Sequence, residues 1–159
     1  VTTSAHSIPY QISRAMLAAL AAVPELAGAT LRDNPTSVAD LTDGDRILFL
    51  EDGPDSPLGQ KEGQKEFRAF TLNVGVISRD SLAREKADLD MVVVRRTLNK
   101  AWNAFLSAGT QAGILAMGGS LEEGQRSHKI EGIDVGGALI VTAFSFSYRE
   151  QTQTRVFRA

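Results

Sequence analysis

The residues with most chemistry to offer are in Asp40-Leu41-Thr42-Asp43-Gly44-Asp45, where closely spaced carboxylates flank a glycine in the manner of a loop that folds its oxygens around a hard cation. The spacing leaves such a site incomplete. A twelve-residue calcium loop takes side-chain ligands at its first, third and fifth positions and a glutamate at its last. Counted from Asp40 these are Asp40, Thr42, Gly44 and Glu51, and the glycine has no side chain to give. The stretch therefore reads as a solvated turn, and no metal or other cofactor is expected. The two histidines, His6 and His128, fall in a tail and a strand, with no carboxylate or serine at a spacing that suggests a proton relay. Gly118-Gly119-Ser120 is not a nucleophile elbow, which needs glycine on both sides of the serine between a strand and a helix. Neither a phosphate-binding loop nor a dinucleotide fingerprint is present. With no cysteine, disulfides, thiolate metal sites and cysteine nucleophiles are excluded. No catalytic residue is expected, and the chain does not read as an enzyme.

Two charged groupings remain. Arg95, Arg96 and Lys100 cluster on a predicted helix, where they meet phosphate or an acidic neighbour, or form a solvated face paired to Asp88 or Asp90 at helical spacing. Between Glu51 and Glu66 five acids (Glu51, Asp52, Asp55, Glu62 and Glu66) stand against two lysines, so this segment is net negative.

These residues sit on elements that the hydrophobic pattern outlines. Ser7 caps a first helix with Pro9 in its first turn, and Ile8, Ile12, Met16, Ala19, Leu20 and Val23 form its apolar stripe until Pro24 and Gly28 end it. A short strand over 29–33 and a polar connection over 38–45 lead to a strand at Arg46 to Glu51. Residues 52–63, rich in Gly, Pro and Asp, read as an exposed loop or the tip of a hairpin. From Phe67 to Arg79 a period of two puts Phe70, Leu72, Val74 and Val76 on one face and Thr71, Asn73 and Gly75 on the other. A long helix over about 81–108 follows, with Ala87, Met91, Val94, Leu98, Ala101, Trp102 and Phe105 as its stripe. Residues 110–125 read mainly as loop, with one helical turn as the alternative. Strands at 127–134 and 138–149 then join through Val135-Gly136-Gly137.

The last strand alternates Ile140, Phe144, Phe146 and Tyr148 with Val141, Ala143, Ser145 and Ser147. Its aromatic face is expected to pack under Met91, Leu98, Trp102 and Phe105. Ser145 and Ser147 lie on a face small and flat enough for a neighbouring subunit or a lumen. The tail over 151–159 has no apolar period and is expected to be mobile until it meets a partner.

The fold class is α+β: one domain over residues 1–159 with a mainly antiparallel sheet of four to five strands and two helices packed on one face, in the order α-β-β-β-α-β-β. A chain of 159 residues with a formal charge of -2 lacks the basic excess of a protein that grips nucleic acid through phosphates. Met16 to Val23 is far shorter than the roughly 20 apolar residues that span a bilayer. Val1 to Ser7 lacks the basic-then-apolar order of a signal peptide, so no membrane partner and a cytoplasmic site of synthesis are expected.

This order of elements resembles the tail terminator and tail completion proteins of long-tailed bacteriophages. An alanine-rich first helix (Ser13 to Pro24), a long strand running straight into the second helix (Phe70 to Ser81) and a closing aromatic strand (Ala143 to Arg149) carry the likeness. The resemblance implies a non-catalytic virion protein, assembled in the host cytoplasm into a ring, hexameric in that family. The ring caps the tail tube, stops its polymerisation and meets a head connector or neck protein, with DNA only as passing cargo. On this reading Asp52, Asp55 and Glu62, if turned to the lumen, repel passing DNA from the wall. Another head-tail joining or minor tail protein shares similar sizes and folds. A reading of a different class, a small ligand-binding or enzymatic domain, would use the 110–125 segment with His128 as its pocket.

Overall fold

A computed structural model describes residues 6–63, 65–128 and 137–151. The chain runs α1 (Ile8–Ala22), a 3-10 turn (Pro24–Leu26), β1 (Thr30–Asp33), α2 (Ala39–Thr42), β2 (Arg46–Glu62), β3 (Lys65–Ser78), α3 (Ala83–Ser107), α4 (Gln111–Ala116), β4 (Ser120–Ser127) and β5 (Ala138–Gln151). The strands form one five-stranded sheet in the order β1-β2-β3-β5-β4. Only β1 runs parallel to its neighbour; every other pairing is antiparallel. The fold is therefore mixed α+β, as the alternating patterns predict, with the short helices α2 and α4 added.

Each long element forms for a local reason. Ser7 accepts a hydrogen bond from the Tyr10 amide and caps α1, while Pro9 occupies the first turn, where its missing donor costs nothing. In β3 and β5 the period of two places Phe70, Leu72, Val74 and Val76 beside Phe146, Phe144, Thr142 and Ile140 on one face. Onto that face α1 lays Ile8, Ile12, Met16 and Leu20, and α3 lays Ala87, Met91, Val94, Leu98 and Trp102, all buried. Burying each such aliphatic or aromatic side chain stabilises the fold by about 1.5–3 kcal/mol. Trp102 meets Phe146 edge to face at 5.2 Å and stacks on Phe105 at 5.6 Å.

A polar seam ties α1 to the two outer strands. Arg14 grips both oxygens of Asp33 at 2.5 and 2.7 Å, and this bond holds the Asp33 carboxyl below its ordinary range. Ser13, fully buried, donates to Asp52 at 2.7 Å. Asn34, at a φ of 48°, takes the left-handed conformation that asparagine tolerates, and its side-chain oxygen accepts from the Asp52 amide. The seam sits where β2 outruns β1.

Three expectations are corrected. Residues 52–62 are not loop but the exposed outer part of β2 in the β2–β3 hairpin, with Gly63 in its turn, because β3 offers partners up to Lys65; register shifts between Asp52 and Asp55 and between Pro57 and Lys61 absorb the glycines and prolines. The connection over 38–45 holds α2. The segment 110–125 is α4 followed by most of β4, with the Thr110 hydroxyl capping α4 at the Gly113 amide. A strand not expected there, β4, spans Ser120–Ser127, while the strand expected over 127–134 falls almost wholly outside the described residues. Residues 129–136 lie outside the described residues, as does the tail from 152, whereas Gln151 still belongs to β5.

The outer face of the sheet is closed at one end only. Leu41 of α2 packs there with Ile47, Phe49, Ile77 and Leu139, and Arg79 holds α2 in place by donating to the carbonyls of Leu41 (2.6 Å) and Gly44. The Phe49 ring lies flat over Gly75, where an added Cβ would meet its Cζ at 2.1 Å. Gly75→Ala is expected to cost about 1–3 kcal/mol by overpacking. It should lower Tm by several degrees, measured calorimetrically, and adding Phe49→Leu should recover part of the loss.

Candidate assembly surface

Beyond the Phe49–Gly75–Val141 row, nothing in the described residues covers the outer face. The register orders it in rows across the strands. Ser120, Ser147, Ala69 and Ser56 form one row; Glu122, Ser145 and Thr71 form the next; Ala143, Asn73 and Glu51 form a third. Gly53 and Gly124 lie against Thr71 and Ala143, so the face stays flat at its margins too. These side chains are small and uncharged, mostly polar with two alanines, except at the rims, where Glu51 and Glu122 stand. Thr71, Asn73, Ala143, Ser145 and Ser147 are each half-buried, shielded by neighbouring strands rather than by any covering layer.

The sheet edges are less inviting. On one side β1 is only four residues long, and where β2 passes beyond it the strand carries Pro54 and Pro57. Proline offers no amide hydrogen to a new strand. On the other side β4 carries Glu122, Glu123 and Arg126 and is broken by a register shift between Glu123 and Arg126. Charge and irregularity at an edge oppose pairing with another sheet.

The charged residues singled out in the sequence are distributed differently from a single acidic tip. Asp52 and Asp55 turn toward the helix side of the sheet. Asp55 accepts from Tyr148 Oη at 2.9 Å and from Arg68 at 3.1 and 3.3 Å, and Arg68 also reaches Glu66 at 2.8 Å. Burial opposes the Arg68 charge, yet the hydrogen bond and charge of Asp55 outweigh it, so the guanidinium is held protonated more firmly than usual. Glu62 closes β2 near the hairpin turn, and its side chain lies outside the described residues. Arg95 grips Glu123 of β4 at 2.6 Å while Arg126 of β4 grips Asp88 at 2.6 Å, a crossed pair of bridges between α3 and the edge strand. Such partly exposed pairs contribute about 0–1 kcal/mol each. Arg96 lies 3.9 Å from Glu25, and Lys100 is exposed one turn further along α3. Of the predicted surface residues, the structure brings Ser145 and Ser147 together on the outer face; Arg95, Arg96 and Lys100 belong to the helix layer on the opposite side.

The residues weighed for chemistry are scattered. Asp40 accepts from the Thr36 amide beside α2, and the Thr42 hydroxyl donates within the same turn. His6 is exposed and stacks on Tyr10 at 4.5 Å, and His128 is exposed just past β4. Among the described residues no group of three or more metal-ligating side chains is placed to hold an ion, and no helix is long and apolar enough to cross a membrane.

Sequence reasoning missed Glu122 and Ser120 on the outer face because 110–125 was read mainly as loop and the next strand was expected to begin only at 127. It also missed a cleft of about 300 Å³ lined by Asp45, Arg46, Ser78, Asp80, Lys86, Leu89 and Asp90. In it Arg46 and Asp90 form a bidentate pair at 2.6 and 2.9 Å across 44 residues of sequence, a separation at which no local spacing signals contact.

Tyr148 gives a pH-dependent test of the cluster at the base of the hairpin. Burial, then the Asp55 charge, pushes its phenol well above the ordinary range. Above a pH of about 10 the unfolded chain therefore loses this proton while the folded chain keeps it, and stability falls as pH rises. Tyr148→Phe is expected to cost about 1–3 kcal/mol at neutral pH and to flatten that alkaline decline, read from urea unfolding across pH 7–11. An unchanged alkaline slope would place the titrating group elsewhere.

Compared with known proteins, the sequence matches no family model and no curated relative.

Proposed function

We propose that this chain is a structural virion protein of the tail terminator type, which assembles as a ring on the end of a phage tail tube, stops tube growth and presents its far side to the head connector. The single observation that carries the reading is the uncovered outer face of Thr71, Asn73, Ala143, Ser145 and Ser147, on a sheet whose edges resist pairing. A face left bare inside a subunit and unsuited to edge growth fits a contact that repeats from copy to copy. Repeated around a closed ring, such a heterologous contact leaves no free ends. The element order, with a long strand leading into the long helix and an aromatic closing strand, supports the same reading.

Size gives a further condition. Four strands about 4.8 Å apart and three rows of side chains about 6.8 Å apart make a face of roughly 400 Å². A stable interface takes roughly 800 Å² from each partner. The contact must therefore extend onto the projecting β2–β3 hairpin, where Leu58 is 48 % exposed, or onto the surface of the neighbour beside it. On this reading DNA meets the ring only as cargo, and the tail tube protein and a neck protein are its partners.

Light scattering followed by negative-stain imaging is expected to find rings with a central hole of tail-tube scale. Ser145→Glu sets a carboxylate beside Glu122 in the middle of the face, and should abolish rings while leaving Tm within about 2 °C of the parent; intact rings from this variant would remove the face from the contact. Added to polymerising tail-tube subunits, the parent protein should halt elongation. Rings that leave elongation unchanged would move the protein to the head side of the joint.

A further inference from the structure

The cleft between the start of β2, the end of β3 and the first turns of α3 has a composition that the ring contact does not use. Asp45, Asp80 and Asp90 line it against Arg46 and Lys86, and Arg46 is engaged by Asp90 at two points and by the Glu25 carbonyl. Asp80 accepts from the Leu82 amide and the Ser81 hydroxyl, which hold its carboxyl ionised. Beside these acids stand Leu82, just before α3, and Leu89 and Val92 of α3, exposed by 57, 56 and 40 %. With Asp90 taken by Arg46, the hollow keeps Asp45 and Asp80 against Lys86, a net excess of one carboxylate beside an apolar rim, which suits a segment that carries cations on either side of large apolar side chains.

This chain has such a segment in Arg155-Val156-Phe157-Arg158. It cannot reach its own cleft. Gln151, where β5 ends, pairs with Lys65, and the cleft begins at Ser78, thirteen residues further along β3. At about 3.3 Å per residue that separation is roughly 43 Å. Arg158 follows Gln151 by seven residues, which fully extended cover at most about 25 Å. We propose that the cleft formed by Asp45, Asp80, Leu89 and Asp90 receives the Arg155–Arg158 segment of a neighbouring copy, with Phe157 against Leu89 and Val92 and the arginines beside the carboxylates. The proposal rests on the ring reading in taking its partner to be a second copy. It supplies contact area that the outer face alone lacks.

The absence of native cysteine makes the test direct. Full-length Leu89→Cys and Phe157→Cys proteins are mixed, oxidised mildly and resolved on a gel, with Tyr10→Cys plus Phe157→Cys as control, since Tyr10 is also exposed, by 45 %, on α1. The 89–157 heterodimer is expected at about tenfold the control yield. Its yield should fall several-fold when Asp45→Lys is added to the Leu89→Cys protein or when salt is raised to screen the arginines. Yield equal to the control, or yield indifferent to both changes, overturns the docking. So does efficient cross-linking within a single diluted chain carrying both cysteines. Rings without 89–157 cross-links would sink the docking and spare the ring; cross-links in particles that never close would do the reverse.

Discussion

Fourteen consecutive residues of β3 pair with fourteen of β5 without a register shift, from Lys65 opposite Gln151 to Ser78 opposite Ala138. A slip of one residue would move every side chain of either strand to the wrong face, so this register decides what is core and what is surface. It gathers Phe70, Leu72, Phe144, Phe146 and Tyr148 under α1 and α3. By the same alternation it must gather Thr71, Asn73, Ala143, Ser145 and Ser147 on the other side. The strong aromatic pattern of the inner face and the flatness of the outer one are thus a single constraint.

The remaining architecture manages the consequences. α2 and Arg79 close the apolar end of the outer face, where Ile47, Phe49, Ile77 and Leu139 would otherwise meet water. At the other end the hairpin of β2 and β3 projects with β5 alongside, and the Tyr148–Asp55–Arg68–Glu66 cluster stiffens its base. Both edges of the sheet are blunted by shortness, proline, charge or bulge. On the proposed reading a face is what remains for assembly, and a face of this size needs neighbouring surfaces to add to it. The cleft lined by Asp45, Asp80 and Leu89 lies at the far end of the sheet from Gln151, where β5 ends, and is proposed to receive the last residues of a neighbouring copy.

Much of this was legible in the sequence where one force dominates. Long amphipathic periods fixed α1, α3, β3 and β5 nearly to the residue, since burying one face outweighs everything else there. The sequence misleads where pairing overrides composition. Gly53-Pro54-Asp55-Ser56-Pro57 reads as loop, yet β3 supplies enough partners to keep it a strand. Ser120 to Ser127 lacks apolar alternation because Glu123 and Arg126, on the helix side, are matched by Arg95 and Asp88 of α3 instead of being buried. The acidic run from Glu51 to Glu66 looked like a charged tip, but its charge is partly cancelled by Arg68, just beyond the run. Ser145 and Ser147 were identified because a small residue alternating with aromatics signals the bare side of a strand. Their partners Thr71 and Glu122, and the junction of Tyr148 with Asp55, 93 residues away, depend on topology that no local window contains.

The most direct measurement is cryo-electron microscopy of the assembled particle at a resolution that separates strands. Density of a neighbouring subunit is expected across the face of Thr71, Asn73, Ser145 and Ser147, in a closed ring with α1 and α3 turned away from that contact. A particle in which this face is bare to solvent and neighbours meet through α1 and α3 would contradict it.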